Sequence, residues 1–155
     1  MKLLCIDPGT TESGFVLFDG ENIIDRSSGV DNNLLLAAVE NSIPANHLAI
    51  EMVASYGMAV GKSVFETCVW IGRFIEAFPG RYTKVYRKDV KMCLCQSMRA
   101  KDSNIRQAIL DRFPATGGGK TPQVGTKKQP GPLFGISKHA WSALAVGITY
   151  FEENK

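Results

Sequence analysis

Residues 2–7 read KLLCID, a short apolar run that closes on a carboxylate, and residues 47–51 read HLAIE, which closes in the same way. Short apolar runs of this kind are typical of strands buried inside a sheet. If the two strands lie side by side, Asp7 and Glu51 meet at one edge of the sheet. Carboxylate oxygens are ligands that hard divalent cations prefer. The pattern therefore predicts a divalent-metal site.

The first half of the chain is predicted to begin with three strands, at about residues 2–7, 14–18 and 21–27. Asp19-Gly20 is a typical tight turn, so the second and third strands are predicted to form an antiparallel hairpin. A helix capped by Asp31 follows. The run HLAIE then returns as a strand that is predicted to pair in parallel with the first.

The second half is predicted to be mostly helical. A helix at about residues 60–78 carries apolar residues on more than one stripe, so it needs two packing partners. Either both lie within its own domain, or one is a second copy of the chain, which is the favoured interpretation. The strand YTKVY, a helix capped by Asp102 or Ser103, and a closing helix from about Ser137 to Phe151 complete the chain.

The element order β-β-β-α-β-α-β-α-α is the ribonuclease H arrangement. It predicts an α/β fold in which helices cover both faces of a five-stranded mixed sheet. The 155 residues and 45% hydrophobic content fit a single globular domain spanning residues 1–155. No apolar run approaches the roughly 20 residues that cross a bilayer, so a cytoplasmic location and no membrane partner are expected.

A polar segment separates the last two predicted helices. Residues 114–132 read PATGGGKTPQVGTKKQPGP, with five glycines, four prolines and three lysines. Such a composition predicts a flexible basic loop at about residues 114–133 that becomes ordered on binding. Its string GGGKT is not a nucleotide-binding loop, because Pro114 stands where that motif requires a glycine and no strand precedes it. No nucleotide cofactor is expected.

Four segments together resemble the landmarks of RuvC-type Holliday junction resolvases: CIDPGTTESGFVLFDG, AIEMVASYGMAVGK, KVYRKDVK and SKHAWSALAVG. The likeness spans nearly the whole chain. Two further segments, AKDSNIRQAILDRF and GTKKQPGPLFG, look more like the bacteriophage members of the family than the cellular enzyme. The resemblance implies a metal-dependent endonuclease that nicks Holliday junctions and related branched DNA symmetrically as a homodimer, with the helix at about residues 60–78 as the dimer contact. A phage-encoded enzyme would act in the bacterial host cytoplasm.

The resemblance also assigns site residues. Asp7 and Glu51 match the family's metal-binding carboxylates, and His139 matches the first of two ligands three residues apart on the last helix; these three are the implied catalytic residues. The second position is Ser142, a neutral hydroxyl in place of an Asp. Either the second ion is bound weakly because Ser142 supplies no negative charge, or Glu66 supplies the missing carboxylate. The implied cofactor is Mg²⁺ or Mn²⁺, two ions per site, and the imidazole shifts the preference toward manganese.

DNA contacts are implied at a separate set of residues. Two lysines near the cleft and three on the polar loop are suited to backbone phosphates. A tyrosine after the fourth strand is a candidate to replace the aromatic wedge of the cellular enzymes. These DNA-binding candidates are Lys91, Lys101, Lys120, Lys127, Lys128 and Tyr56.

Two other functions are also compatible with the sequence. The neutral residue at position 142 allows a non-catalytic module of the same fold that binds branched DNA without cleaving it. A ribonuclease H-like nuclease that processes RNA shares the first-strand Asp, although the segment GTKKQPGPLFG argues against it. The net charge of +3 permits a nucleic-acid partner without requiring one.

Overall fold

The computed structural model describes residues 1–155, which form five strands and five helices. None of the five helices combines the length and the apolar character that a membrane span requires. The strands are β1 (Leu3–Asp7), β2 (Glu12–Phe18), β3 (Ile23–Asp31), β4 (His47–Met52) and β5 (Arg81–Tyr86). The helices are α1 (Asn32–Asn41), α2 (Lys62–Ala77), α3 (Arg87–Cys95), α4 (Asp102–Leu110) and α5 (His139–Glu153).

The sheet has the order β3-β2-β1-β4-β5. β1 pairs antiparallel with β2 and parallel with β4, and β4 pairs parallel with β5. The predicted five-stranded mixed sheet is thereby confirmed. The Asp19 carboxylate accepts hydrogen bonds from the backbone N–H groups of Glu21 and Asn22, and Gly20 has a φ of 103°, which closes the predicted hairpin turn.

Helices cover both faces of the sheet, because alternate residues of the central strands point to opposite sides. Leu4 and Ile6 of β1 join the core beneath α1 and α2. Leu3 and Cys5 join the larger core beneath α3, α4 and α5. Helix α5 packs tightly against the sheet, since a Cβ at Gly147 would stand 2.5 Å from the Cys5 sulfur. This close packing sets the distance between α5 and β1.

The predicted boundaries need several corrections. Helix α3 is absent from the predicted element order, because RKDVKMCLC is short and its apolar residues mark only one narrow stripe. Helix α4 begins at Asp102 with Lys101 as its N-cap, and α5 begins at His139, not at Ser137. The predicted cap of α1 is confirmed, since Asp31 accepts hydrogen bonds from two backbone N–H groups of the first turn.

The segment at residues 114–133 contains no helix or strand, yet it is folded on itself. Its backbone forms hydrogen bonds from Gly118 to Gln129 and from Gly131 to Val124, and Leu133 is fully buried in the larger core. The sequence predicted a flexible loop because its composition offers few apolar residues. Glycine residues and turn hydrogen bonds, which carry no hydrophobic signal, form these internal contacts. The flexibility of the segment and its ordering on binding stay predictions.

Candidate active site

The two strand-end carboxylates lie together. β1 and β4 are parallel neighbours with Ile6 opposite Ile50, so the next residue of each strand, Asp7 and Glu51, falls at the same edge of the sheet. The two side chains are largely buried, with 13% and 18% of their surface exposed, and they are within hydrogen-bonding reach of each other. Parallel pairing therefore produces the acidic pair that the sequence predicted.

Burial raises the pKa of both carboxyl groups. The pKa of Asp7 rises to about 6, mainly because the group loses water. The pKa of Glu51 rises to about 8, first through burial and then through repulsion by the Asp7 charge. Both carboxyl groups therefore bind a proton more tightly than they would in water when no cation is present.

Glu51 also carries an unsatisfied atom. Its Oε1 is buried and has no hydrogen-bond partner. A buried acceptor without a donor is costly, and such atoms are rare in folded proteins. A divalent cation between the two carboxylates would remove both the unsatisfied oxygen and the charge repulsion. The donor set of two carboxylates fits a hard cation such as Mg²⁺ or Mn²⁺.

His139 is the third predicted site residue, and it contacts Asp7. Its Nδ1 lies 3.1 Å from Asp7 Oδ2. Gly14 of β2 pairs with Asp7 across the sheet and makes this contact possible, because a Cβ at Gly14 would stand 2.6 Å from His139 Cβ. The first residue of α5 can approach β1 only because β2 has no side chain at this point.

Gly14→Ala is therefore expected to move His139 away from Asp7 and to destabilise the fold by about 1–3 kcal/mol through overpacking. The expected result is a lower melting temperature and at least roughly tenfold slower metal-dependent cleavage, because misplacing a catalytic group by about 1 Å can slow a reaction 10²-fold. Thermal melts and a cleavage assay on branched DNA measure both. Gly29→Ala is the matched control, since its Cβ would meet only the flexible end of the Glu12 side chain. Equal effects of the two substitutions would contradict the positioning role of Gly14.

The other predicted ligands lie apart from the acidic pair or do not contact it. Ser142 is one turn along α5 from His139 and lines a pocket between α3, α4 and α5. Glu66 lies on α2, where it forms an exposed ion pair with Lys62 at 3.6 Å. No group of three or more His, Cys, Asp or Glu side chains surrounds a common point as metal ligands would. The structure therefore places Asp7 next to both Glu51 and His139.

The DNA-binding candidates are mostly exposed side chains. Tyr56 is exposed in the loop after β4 and lines the same surface pocket as Glu51. Lys91 is half-buried on α3, and Lys101 is exposed at the start of α4. The three lysines of the 114–133 segment are exposed. None of these side chains forms a hydrogen bond or an ion pair with Asp7 or Glu51.

Arg87 is a site residue that the sequence analysis missed. It follows β5 directly, and its Nη1 lies 3.6 Å from Glu51 Oε1. Its Nη2 forms an ion pair with Asp102 at the start of α4. The sequence offered one indication of its role. Arg87 directly follows the predicted strand YTKVY, and in the structure this strand, β5, lies next to β4, which carries Glu51. The motif KVYRKDVK by itself does not distinguish its arginine from its three lysines.

Comparisons with known proteins agree on the architecture. Thermus thermophilus RuvC in complex with a Holliday junction substrate matches with a TM-score of 0.69 at 15% identity, over 99% of this chain and 94% of that one. A second RuvC structure from the same organism matches with a TM-score of 0.68 at 15% identity, over 99% of this chain and 97% of that one. The fold is the ribonuclease H-like fold of RuvC. No protein-family model and no curated relative matches the sequence.

Proposed function

We propose that this protein is a metal-dependent, structure-selective DNA endonuclease that nicks Holliday junctions and related branched DNA. One observation carries the proposal: Asp7 and Glu51 are buried together at the ends of adjacent parallel strands, with raised pKa values and an unsatisfied oxygen. This arrangement stands in a fold shared with RuvC, one structure of which holds a Holliday junction substrate. The bacteriophage-type segments of the sequence support a phage-type member of that class.

In this proposal Asp7 and Glu51 hold Mg²⁺ or Mn²⁺. When bound, the metal supplies an activated water and stabilises charge on the phosphate and leaving oxygen. His139 contacts Asp7 through Nδ1. Its Nε2 is then available either to bind the metal or to accept a proton from the attacking water. Because the side chain of His139 is about half exposed, it can reach a substrate phosphate.

A homodimer through α2 is part of the proposal. Phe65 and Val69 are 61% and 62% exposed on this helix, which is unusual for large apolar side chains one turn apart. A second copy of the chain would cover them, and a two-fold dimer would place two nicks symmetrically on a four-way junction. Sedimentation at working concentration is expected to give the dimer mass. A monomer, both free and on DNA, would contradict symmetric nicking.

A binding-only role is the second candidate, because Arg87 lies beside Glu51 and Ser142 replaces a carboxylate. A cation beside a metal ligand weakens metal binding. This candidate predicts that junctions are bound in the presence of Mg²⁺ or Mn²⁺ and are not cleaved.

One assay separates these functions. Labelled four-way, flap and linear DNA and a structured RNA are incubated with the protein in Mg²⁺, Mn²⁺ or EDTA. We expect cleavage of the four-way junction with either metal, faster in Mn²⁺, and none in EDTA. Junction binding without cleavage would favour the binding module, and cleavage of the RNA alone would favour an RNA-processing nuclease.

A further inference from the structure

We propose that Arg87 is a phosphate-binding catalytic residue that supplies positive charge where a second metal ion would otherwise act, so that the enzyme works with one divalent ion per active site. This inference depends on the proposed nuclease function and defines how the site binds its substrate. It differs from the expectation of two ions that the sequence resemblance implied.

The sheet holds Arg87 at the reaction centre. Glu51 and Met52 of β4 pair with Val85 and Tyr86 of β5, so the first residue after β5 stands beside the strand-end carboxylate. The Arg87 side chain is 30% exposed. It is therefore partly enclosed by the protein and still open to a ligand on one side.

The contacts of Arg87 leave it free to change partners. At 3.6 Å, Nη1 is too far from Glu51 Oε1 for a hydrogen bond, and that oxygen has no other partner. The second contact is with Asp102, whose side chain is 88% exposed. Exposed ion pairs contribute little stability because water competes for both charges. A phosphate, which matches the planar guanidinium fork, can therefore displace Asp102.

A pocket beside Arg87 has the character of an anion site. Its volume is about 310 Å³, and it lies between α3, α4 and the start of α5. Arg87, Arg106 and Lys138 line it, together with the Ser142 hydroxyl, against one acidic residue, Asp102. Three cations facing one exposed carboxylate favour a polyanionic ligand. A DNA phosphate placed here would lie next to the acidic pair.

The charges at the centre also favour one ion. Two carboxylates, Asp7 and Glu51, balance one divalent cation, and Ser142 adds no negative charge. A second divalent ion would have to bind close to the Arg87 guanidinium, which repels it. The same guanidinium can neutralise charge that develops on the phosphate, as a preorganised electrostatic group does in other enzymes.

The test uses the full chain and the substitutions Arg87→Ala and Arg87→Lys. Mn²⁺ binding is measured by electron paramagnetic resonance without DNA, and cleavage of a four-way junction is measured across a Mn²⁺ titration. For Arg87→Ala we expect roughly fivefold tighter Mn²⁺ binding, because a charge near Glu51 is removed. We also expect cleavage to slow by roughly 10²-fold at saturating Mn²⁺. The cleavage rate of Arg87→Lys is expected to lie between those of Arg87→Ala and the unmodified protein. Added guanidinium ion is expected to restore part of the activity of Arg87→Ala.

Arg112→Ala is the matched control, since Arg112 has similar exposure and pairs with Glu152 near the end of α5, far along the helix from His139. It is expected to change neither Mn²⁺ affinity nor cleavage. The unmodified protein is expected to show a Hill slope near one for Mn²⁺. A slope near two, or cleavage by Arg87→Ala at the unmodified rate, would overturn the role of Arg87 while leaving the nuclease function intact. An unmodified protein that cleaves no DNA would overturn both.

Discussion

Asp7→Asn is expected to slow cleavage of a four-way junction on the order of 10³-fold or more, and Glu51→Gln should have a similar effect. The metal supplies several kcal/mol of transition-state stabilisation, and each 1.36 kcal/mol lost is a factor of ten in rate. Each substitution removes one of the two buried carboxylates that can hold the ion. Single-turnover cleavage with saturating Mg²⁺ or Mn²⁺ measures the loss.

Junction affinity is expected to change by less than roughly threefold in the same variants. The phosphate backbone provides most of the affinity of proteins for DNA, and basic side chains away from the acidic pair provide those contacts. Glu21→Gln is a suitable control, since Glu21 is exposed in the hairpin turn at the opposite end of the strands from Asp7. If Asp7→Asn cleaved at the unmodified rate, the assignment of the active site would be wrong.

The metal-free protein is expected to lose stability as the pH rises from about 4 to about 8. The pKa of Asp7 is raised to about 6 and that of Glu51 to about 8, so the folded state binds protons more tightly than the unfolded state. Stability from such groups is fully present below their unfolded pKa values and is lost as the pH passes through the folded ones. The expected loss is several kcal/mol, because a pKa that is raised by one corresponds to about 1.36 kcal/mol.

Glu51→Gln should remove most of this pH dependence, because a neutral amide has no proton to lose. At pH 8 in EDTA, the variant is expected to melt roughly 5–10 °C above the unmodified protein. Added Mn²⁺ should raise the melting temperature of the unmodified protein and leave the variant nearly unchanged. Glu21→Gln, with its exposed carboxylate, should melt like the unmodified protein in every buffer. A melting temperature of the unmodified protein that does not change with pH in EDTA would show that the carboxylates are not coupled as described.

The acidic pair could be predicted because it depends on two local patterns and on one strand pairing that follows from them. KLLCID and HLAIE are short apolar runs of strand length, and parallel neighbours bring their last residues together. His139 was found through its register in SKHAWSALAVG, and the structure brings it to Asp7. Its approach depends on Gly14, whose importance appears only when the start of α5 is placed against β2, next to β1.

Arg87 could not be assigned from the sequence in the same way. Basic residues such as Lys84 and Lys88 surround it in the chain, and nothing local distinguishes one of them as a site residue. Its role follows from the pairing of β5 with β4, which places it beside Glu51. The internal hydrogen bonds of residues 114–133 could not be predicted for a related reason, because they join residues that carry no apolar signal.

The sequence by itself determined the order of the strands and most of the helices, the mixed sheet, and the carboxylates at two strand ends, because hydrophobic periodicity and turn residues are local properties of the chain. The tertiary structure decided which cation stands next to Glu51, how closely α5 approaches β1, and that Glu66 lies in an exposed ion pair on α2. These features depend on distances between residues far apart in the chain. Such distances are set by the packing of the whole core, which no single segment encodes.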